Sequence, residues 1–353
     1  MSSTSPSARR QTTPDHVVAA THWAQLSELA RLAPSPHNTQ PYRLRPLDDD
    51  RADVVLLPDR LLVAEDEGNR YVYSALGIFA VAVERAAATI GSRARVTLET
   101  DPGVVTPSDA PRTVARVCLS PRPVDHDRDG QNSDGLAAAQ LLATRRTSRL
   151  PYRPIPVDTS LRQRFVKLAE SHGHRLHIDS DPDRVAALLA QNAEAIVDNL
   201  QVEEDRREIE RWVRYGTTPE HGDGLWEVPL GQPGWQLRLG FRCPWVFELP
   251  IIKPLAIAGY LATMTGTQHV ALLAGPFRDW PDLYAAGRLL MTLWLEMAAS
   301  DVYMHPFGST LTNRHHARRI AAAFGDDEGW LVFRFGASET PPASPRLATV
   351  VMP

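Results

Sequence analysis

Three prolines set within eight residues, Pro34, Pro36 and Pro41, fix the course of the chain more firmly than any other feature. Each locks its own φ, removes a main-chain donor and pushes the residue before it out of the helical region. The preceding stretch, 16–32, places Val17, Val18, Ala20, Trp23, Leu26, Leu29, Ala30 and Leu32 at helical spacing, which predicts a helix that must stop at the prolines. The loop 33–42 is therefore a stiff helix exit. It carries Ser35, His37, Asn38 and Gln40, groups that donate and accept hydrogen bonds without fixed charge. Both a plain polar connection and a surface for a flat heterocycle fit that composition.

Beyond the loop, 42–47 and 52–57 read as a hairpin around Asp48-Asp49-Asp50-Arg51, and 69–90 as a long Ala- and Val-rich helix ended by Gly91. Strands are expected at 93–99 and 113–119. Apolar residues then almost vanish over 121–135, which reads as a linker between a first lobe, 16–120, and a second, 136–353. Helices at 136–144 and 161–171, a strand at 175–178 and a long helix over 182–215 follow. From 216 to 257 the periodicity is lost among glycines, prolines and aromatic residues; a stretch of this length is either a lid over a site or an arm against a neighbour. Regular structure returns with a strand at 270–274, helices at 282–300 and 313–324, and a strand at 330–335.

Composition excludes several classes. With 43% hydrophobic and 23% charged residues the chain can fill a core, and its net charge of -4 offers no basic field for nucleic acid. Residues 1–15 are polar and read as a disordered tail without a secretory signal, and no apolar run reaches the roughly 18 residues of a membrane span. Cys118 and Cys243 show no metal or disulfide spacing, which fits a reducing cytoplasm. His172, His174 and His177 lack a completing carboxylate or cysteine, so no metal is expected. His315 and His316 read as a surface pair, and Trp23, Trp212 and Trp294 as core. The glycine-rich phosphate loops, nucleophile elbow and zinc motifs are absent.

Arg145, Arg146 and Arg149 lie within five residues at a helix exit, with Thr147 and Ser148 between them. Such a cluster suits bidentate capture of phosphate or carboxylate, and equally a solvated basic corner. Together the two motifs carry a resemblance. Pro34-Ser35-Pro36-His37-Asn38-Thr39-Gln40-Pro41-Tyr42 resembles the P-S-x-x-N-x-Q-P-W segment of the nitroreductase superfamily of FMN flavoproteins, with tyrosine in the place of tryptophan. Arg145-Arg146-Thr147-Ser148-Arg149 is similar to that family's R-R-S-x-R segment. Residues 282–306 are similar to its late helix and the strand that run under the flavin, and Phe333-Arg334-Phe335-Gly336 with Pro345-Arg346 resembles its closing strand and basic tail.

Motif order is the informative departure. The usual member carries the arginine motif first and forms a homodimer with two FMN sites; here the proline loop opens the first lobe and the arginine segment the second. The resemblance implies an α+β fold of tandem lobes forming a pseudo-dimer around one FMN cleft, as in the two-lobed Acg-like branch, which Asp66-Glu67-Gly68-Asn69-Arg70 also resembles. It implies that Arg145 and Arg346 hold the FMN phosphate, Thr147 or Ser148 the ribityl chain, and Arg149 the pyrimidine edge. Pro34, Ser35, Asn38 and Gln40 would line the site, main-chain groups at Phe307, Gly308 and Ser309 would approach N5, and His37 is the candidate proton donor. The implied activity is two-electron transfer between NAD(P)H and a small electron-poor or unsaturated substrate. A substrate-driven oxidase using dioxygen and a non-catalytic FMN store remain alternatives, and the expected assembly is a monomer or a homodimer of pseudo-dimers.

Overall fold

The structure, a computed structural model, describes residues 14–99, 101–122, 128–216 and 220–352. Helix α1 (Pro14–Ala30) runs into the proline loop, which holds a short 3-10 turn at Pro36–Asn38. Strands β1 (Tyr42–Pro46) and β2 (Arg51–Leu56) form the expected hairpin, Tyr42 opposite Leu56 and Pro46 opposite Ala52. Helix α2 (Arg70–Ala87) continues as a 3-10 turn, Ala88–Ile90, that ends on left-handed Gly91. Strands β3 (Ser92–Leu98) and β4 (Arg112–Pro121) complete an antiparallel sheet of order β1-β2-β4-β3.

The second half opens with α3 (Arg128–Thr144) and α4 (Thr159–Ser171), the latter capped by the Asp158 carboxylate. Then come β5 (Arg175–Asp179), α5 (Pro182–Asn199), α6 (Glu203–Trp212) and the two-residue strands β6 (Val213–Arg214) and β7 (Leu225–Trp226). Helices α7 (Glu227–Leu230), α8 (Gly234–Arg242) and α9 (Ile252–Ala262) lead to β8 (His269–Ala274). Helix α10 (Trp280–Ala298), β9 (Tyr303–Pro306), α11 (Gly308–Thr312), α12 (Arg314–Phe324) and β10 (Gly329–Gly336) follow.

The second sheet, β5-β8-β10-β9, is also wholly antiparallel. Matched strand for strand, its order is that of the first sheet, and in both the long helix, α2 or α10, joins the second strand to the third. The chain is thus a tandem repeat at the level of topology, an α+β pseudo-dimer.

The repeated helices pack on each other. A Cβ on Gly77 of α2 would lie 2.0 Å from the Tyr284 carbonyl oxygen, and one on Gly287 of α10 would lie 1.8 Å from that of Ser74. Only a missing side chain lets the backbones approach so closely. One apolar cluster runs through the crossing, from Trp23, Tyr42 and Phe79 to Leu289, Trp294, Phe333 and Phe335. The apolar composition of α2 is spent in this core, although the helical stretch Glu67–Ile90 has the length and composition of a membrane span.

Several expectations need correction. The tail expected over 1–15 lies outside the described residues except for Pro14 and Asp15, which begin α1. Of the expected linker, 123–127 lie outside the described residues and helix already begins at Arg128. The long helix over 182–215 breaks after Asn199, because Glu203, Glu204 and Asp205 supply the acidic first turn of a new helix. Residues 220–257 hold one strand and several short helices rather than aperiodic chain, and α9, apolar as it is, has no buried residue. His316 is buried, not a surface residue, its Nε2 3.0 Å from the Asp198 carboxylate. Trp23, Trp212 and Trp294 are core, as expected.

Candidate functional site

The proline loop is a strained, fully braced element. His37, Asn38 and Gln40 have φ of 47°, 54° and 50°, a left-handed conformation that costs a non-glycine residue about 1–3 kcal/mol. Its carbonyl oxygens are taken up in turn: Tyr42 Oη donates to Ala33 at 2.7 Å, closing the loop end to end, Arg60 Nη1 donates to Thr39, and Arg43 Nη1 to Gln40 and Tyr42. The Gln40 N–H donates to Ser35 Oγ at 2.8 Å. Tyr42 also stacks on Phe79, ring centroids 4.1 Å apart, and burial pushes its phenol up to about 12.

The carboxamides fasten this loop to two distant segments. Asn38 Nδ2 donates to the carbonyls of Gly224 and Pro345, and its Oδ1 accepts from Arg346 Nη1 at 2.7 Å. Gln40 Nε2 donates to Gly222, while its Oε1 accepts from the Leu347 N–H. Residues 345–352 then continue along the first sheet, where Leu44 exchanges backbone hydrogen bonds with Val350 and Met352. Asp223 bridges Arg60 and Arg214 and holds the 222–224 turn against the loop.

At the base of the loop two guanidinium groups converge. Arg145 Nη2 and Arg346 Nη2 both donate to the Leu32 carbonyl, at 3.2 and 3.4 Å. Trp294 of α10 lies under Arg145, 4.7 Å from guanidinium carbon to ring centroid. Neither arginine forms an ion pair with any described residue, and Arg145 Nε and Nη1 and Arg346 Nε are buried without hydrogen-bond partners. Burial, then the charge of Arg346, lowers the Arg145 guanidinium to about 9; burial lowers Arg346 as well. A buried and a half-buried cation, uncompensated and with unused donors, are costly in an empty chain and suit a multiply charged anion.

The rest of the arginine segment runs beside the second sheet. Thr147 bridges in parallel to Met304 of β9, and the Ser148 N–H donates to the Met304 carbonyl. Ser148 Oγ is fully buried, 2.8 Å from Ser338 Oγ. Arg149 Nη1 donates to the Pro229 carbonyl on α7 at 3.4 Å, and its pKa is lowered by burial, with Tyr260 and Arg334 nearby. Arg334 is buried over Tyr152 and donates to His305 Nδ1 at 3.2 Å, and burial, then Arg149 and Arg334, hold that imidazole neutral. Arg146 points elsewhere, to the Pro341 carbonyl.

Near Arg149, His37 Nε2 lies 2.6 Å from Glu65 Oε2. Burial alone would lower the imidazole, but the Glu65 carboxylate outweighs it and raises His37 above the usual histidine value. Burial would raise Glu65 and His37 reverses this, so its pKa is lowered, with Ser309 of α11 adding in the same direction. Ser35, Asn38, Gln40, Arg145 and Arg346 are thus linked through hydrogen bonds around the loop that also holds Pro34 and His37, whereas Thr147 lies against β9; Phe307 is buried and Gly308 exposed at the β9–α11 junction. The histidines at 172, 174 and 177 disperse: His174 meets Trp330, and His177 meets Asp326.

Sequence reasoning missed Glu65, Trp294 as a guanidinium platform, Asp223 and the glycines of the 222–224 turn. Glu65 adjoins the acidic run before α2, a signal that was available. The rest depend on contacts 149 or more residues apart in the chain.

No family profile and no curated protein matches the chain. Among solved structures it is similar to the FMN-dependent nitroreductase NfnB of Mycobacterium smegmatis, determined with NADPH, at 19% identity and a TM-score of 0.34 over 58% of this chain and 88% of that one. A nitroreductase of Desulfitobacterium hafniense with bound FMN shows 12% identity and a TM-score of 0.35, over 59% and 92% of the two chains. A third structure, from Anabaena variabilis, aligns over 82% of this chain and 69% of its own at 12% identity and a TM-score of 0.39.

Proposed function

We propose that the chain is an FMN-dependent oxidoreductase of the two-lobed, Acg-like kind, carrying two electrons between NAD(P)H and a small electron-poor or unsaturated organic molecule. The observation that carries this reading is the Arg145–Arg346 pair, a buried and a half-buried guanidinium on one carbonyl with three unpartnered nitrogens and no carboxylate. This donor set fits a phosphate monoester, and the proline and arginine motifs that resemble the nitroreductase superfamily flank it.

Arg145 and Arg346 would hold the phosphate. Asn38 fixes Arg346 in place, and Thr147 is positioned for the ribityl hydroxyls; Ser148, committed to Ser338, is less suited. The extended segment places Arg149 up to about 13 Å from Arg145, where its charge would stabilise the electron-rich reduced ring. Bound FMN supplies the hydride chemistry through N5. The protein's part is placement, a cation beside the ring and exclusion of water, the last from the 222–230 segment fastened over the loop by Asn38, Gln40, Asp223 and Arg149.

The test is retention of FMN against riboflavin by the purified protein, followed by an anaerobic absorbance spectrum on addition of NADH and then NADPH. FMN held in preference to riboflavin and bleached within seconds supports the reading. A flavin band that persists favours the oxidase or storage alternative, and failure to retain FMN overturns the assignment.

A further inference from the structure

The arrangement around His37 has more organisation than a braced loop requires. Its backbone is left-handed, with φ of 47°, so the ring is aimed by a conformation that must be held in place. Nε2 is committed to Glu65 at 2.6 Å, whereas Nδ1 is buried with no hydrogen-bond partner. Glu65 is itself built in: it is 8% exposed, and the N–H groups of Ala64 and Glu65 donate to Glu208 of α6. The charged groups facing the imidazole are Glu65 and Glu208 on the anionic side and Arg149 on the cationic side. Asp205, also on α6, lies near Glu65 and is pushed up to about 6 by burial, then by Glu65 and Glu208.

The geometry points to His37 and Glu65 as a proton-donating dyad for this site, with His37 Nδ1 delivering the proton and Glu65 as the positioning residue that keeps the imidazole charged. The inference rests on the oxidoreductase reading and adds the acid that reading lacks. With Nε2–H directed to Glu65, the imidazolium has one other proton, on Nδ1, and that nitrogen has no protein partner. An acceptor such as p-benzoquinone takes two electrons and one proton as hydride from the reduced flavin and a second proton from His37 Nδ1. It leaves as hydroquinone, and His37 is left neutral with its Nε2–H still on Glu65. The dyad selects acceptors that must be protonated as they are reduced, such as quinones and conjugated carbonyl compounds, over pure electron acceptors.

Two measurements test this. In the flavin-free protein, histidine 15N NMR with His37 assigned by its loss in His37→Gln should show an imidazole that stays charged above the usual histidine value. In Glu65→Gln it should become neutral below that value. In the FMN-loaded protein, reoxidation is compared between p-benzoquinone and ferricyanide, which takes one electron and no proton. Glu65→Gln should slow the quinone reaction at pH 7.5 by roughly 10²-fold, within the usual range for a general acid, leave ferricyanide unchanged, and recover as the pH is lowered; His37→Gln should lose the quinone reaction without recovery. A His37 pKa below the usual value, or equal loss with both acceptors, overturns the dyad while leaving FMN binding intact. If the unmutated protein does not hold FMN, the functional reading falls and the proton-donor assignment with it.

Discussion

Replacing Arg145 with methionine should have opposite effects on the empty and the loaded protein. Arg145 is 5% exposed and has no carboxylate, and burial lowers its guanidinium to about 9. At about 1.4 kcal/mol per pH unit, holding it charged at neutral pH costs the fold about 5 kcal/mol, of which the Trp294 face offsets about 1–2 kcal/mol. Methionine fills similar space without charge, so the flavin-free variant should be more stable by about 1–4 kcal/mol, read as a higher urea midpoint. FMN binding should weaken by about 2–5 kcal/mol, some thirty- to several-thousand-fold, while riboflavin, which lacks the phosphate, should bind as before. A flavin-free variant less stable than wild type, or one that still prefers FMN over riboflavin, would refute the reasoning.

Asn38→Ala removes the acceptor that orients Arg346 and both links to 224 and 345; calorimetry should show FMN affinity falling by about 1–3 kcal/mol. Gly77→Ala drives a methyl into the Tyr284 carbonyl and should destabilise the fold by about 3 kcal/mol, seen as a lower thermal midpoint. Asp223→Ala leaves Arg60 and Arg214 without their shared carboxylate, so limited proteolysis within 216–257 should quicken several-fold, and equal rates would show that this contact does not hold the segment closed. The His37–Glu65 pair adds stability that is full below His37's unfolded value of 6.5 and lost as the pH rises through its raised folded value. On the acid side, the Glu65 contribution is present above 4.5 and lost as the pH falls through its lowered folded value. Urea midpoints against pH should be flatter in His37→Gln at both ends.

Much of the fold was legible because its signals are local. The hairpin, α2 and its Gly91 end, and every strand of the two sheets except β9 follow from periodicity and turn residues; the four-residue β9 is too short to show a period. The helix over 182–215 was misjudged because periodicity does not register a three-residue break, although the acidic triplet at 203–205 marks a new helix start. The loop and the arginine segment were visible as motifs, but their joining was not: Arg145 and Arg346, 201 positions apart, share one carbonyl, which no local pattern encodes. Ser35, Asn38 and Gln40 show the same limit from the other side, since their residue types suggested ligand contacts while their observed partners are the protein's own backbone.

The crossing of α2 and α10 bears on how anything enters or leaves. Carbonyl oxygens stand where the glycine side chains would be, and a single core passes through the contact, so the helices have no lubricating layer of side chains along which to slide. A hinge between the halves would have to tear that core. On the proposed function, the width of the site is therefore set when the chain folds, like the jaw of a vice without a screw. A ligand would instead pass through the short helices between β6 and β8, whose attachments at 222–224 and 229 are hydrogen bonds and ion pairs. Those can exchange with water at small cost, so on that reading the covering segment would set the pace of exchange and the rigid frame the geometry.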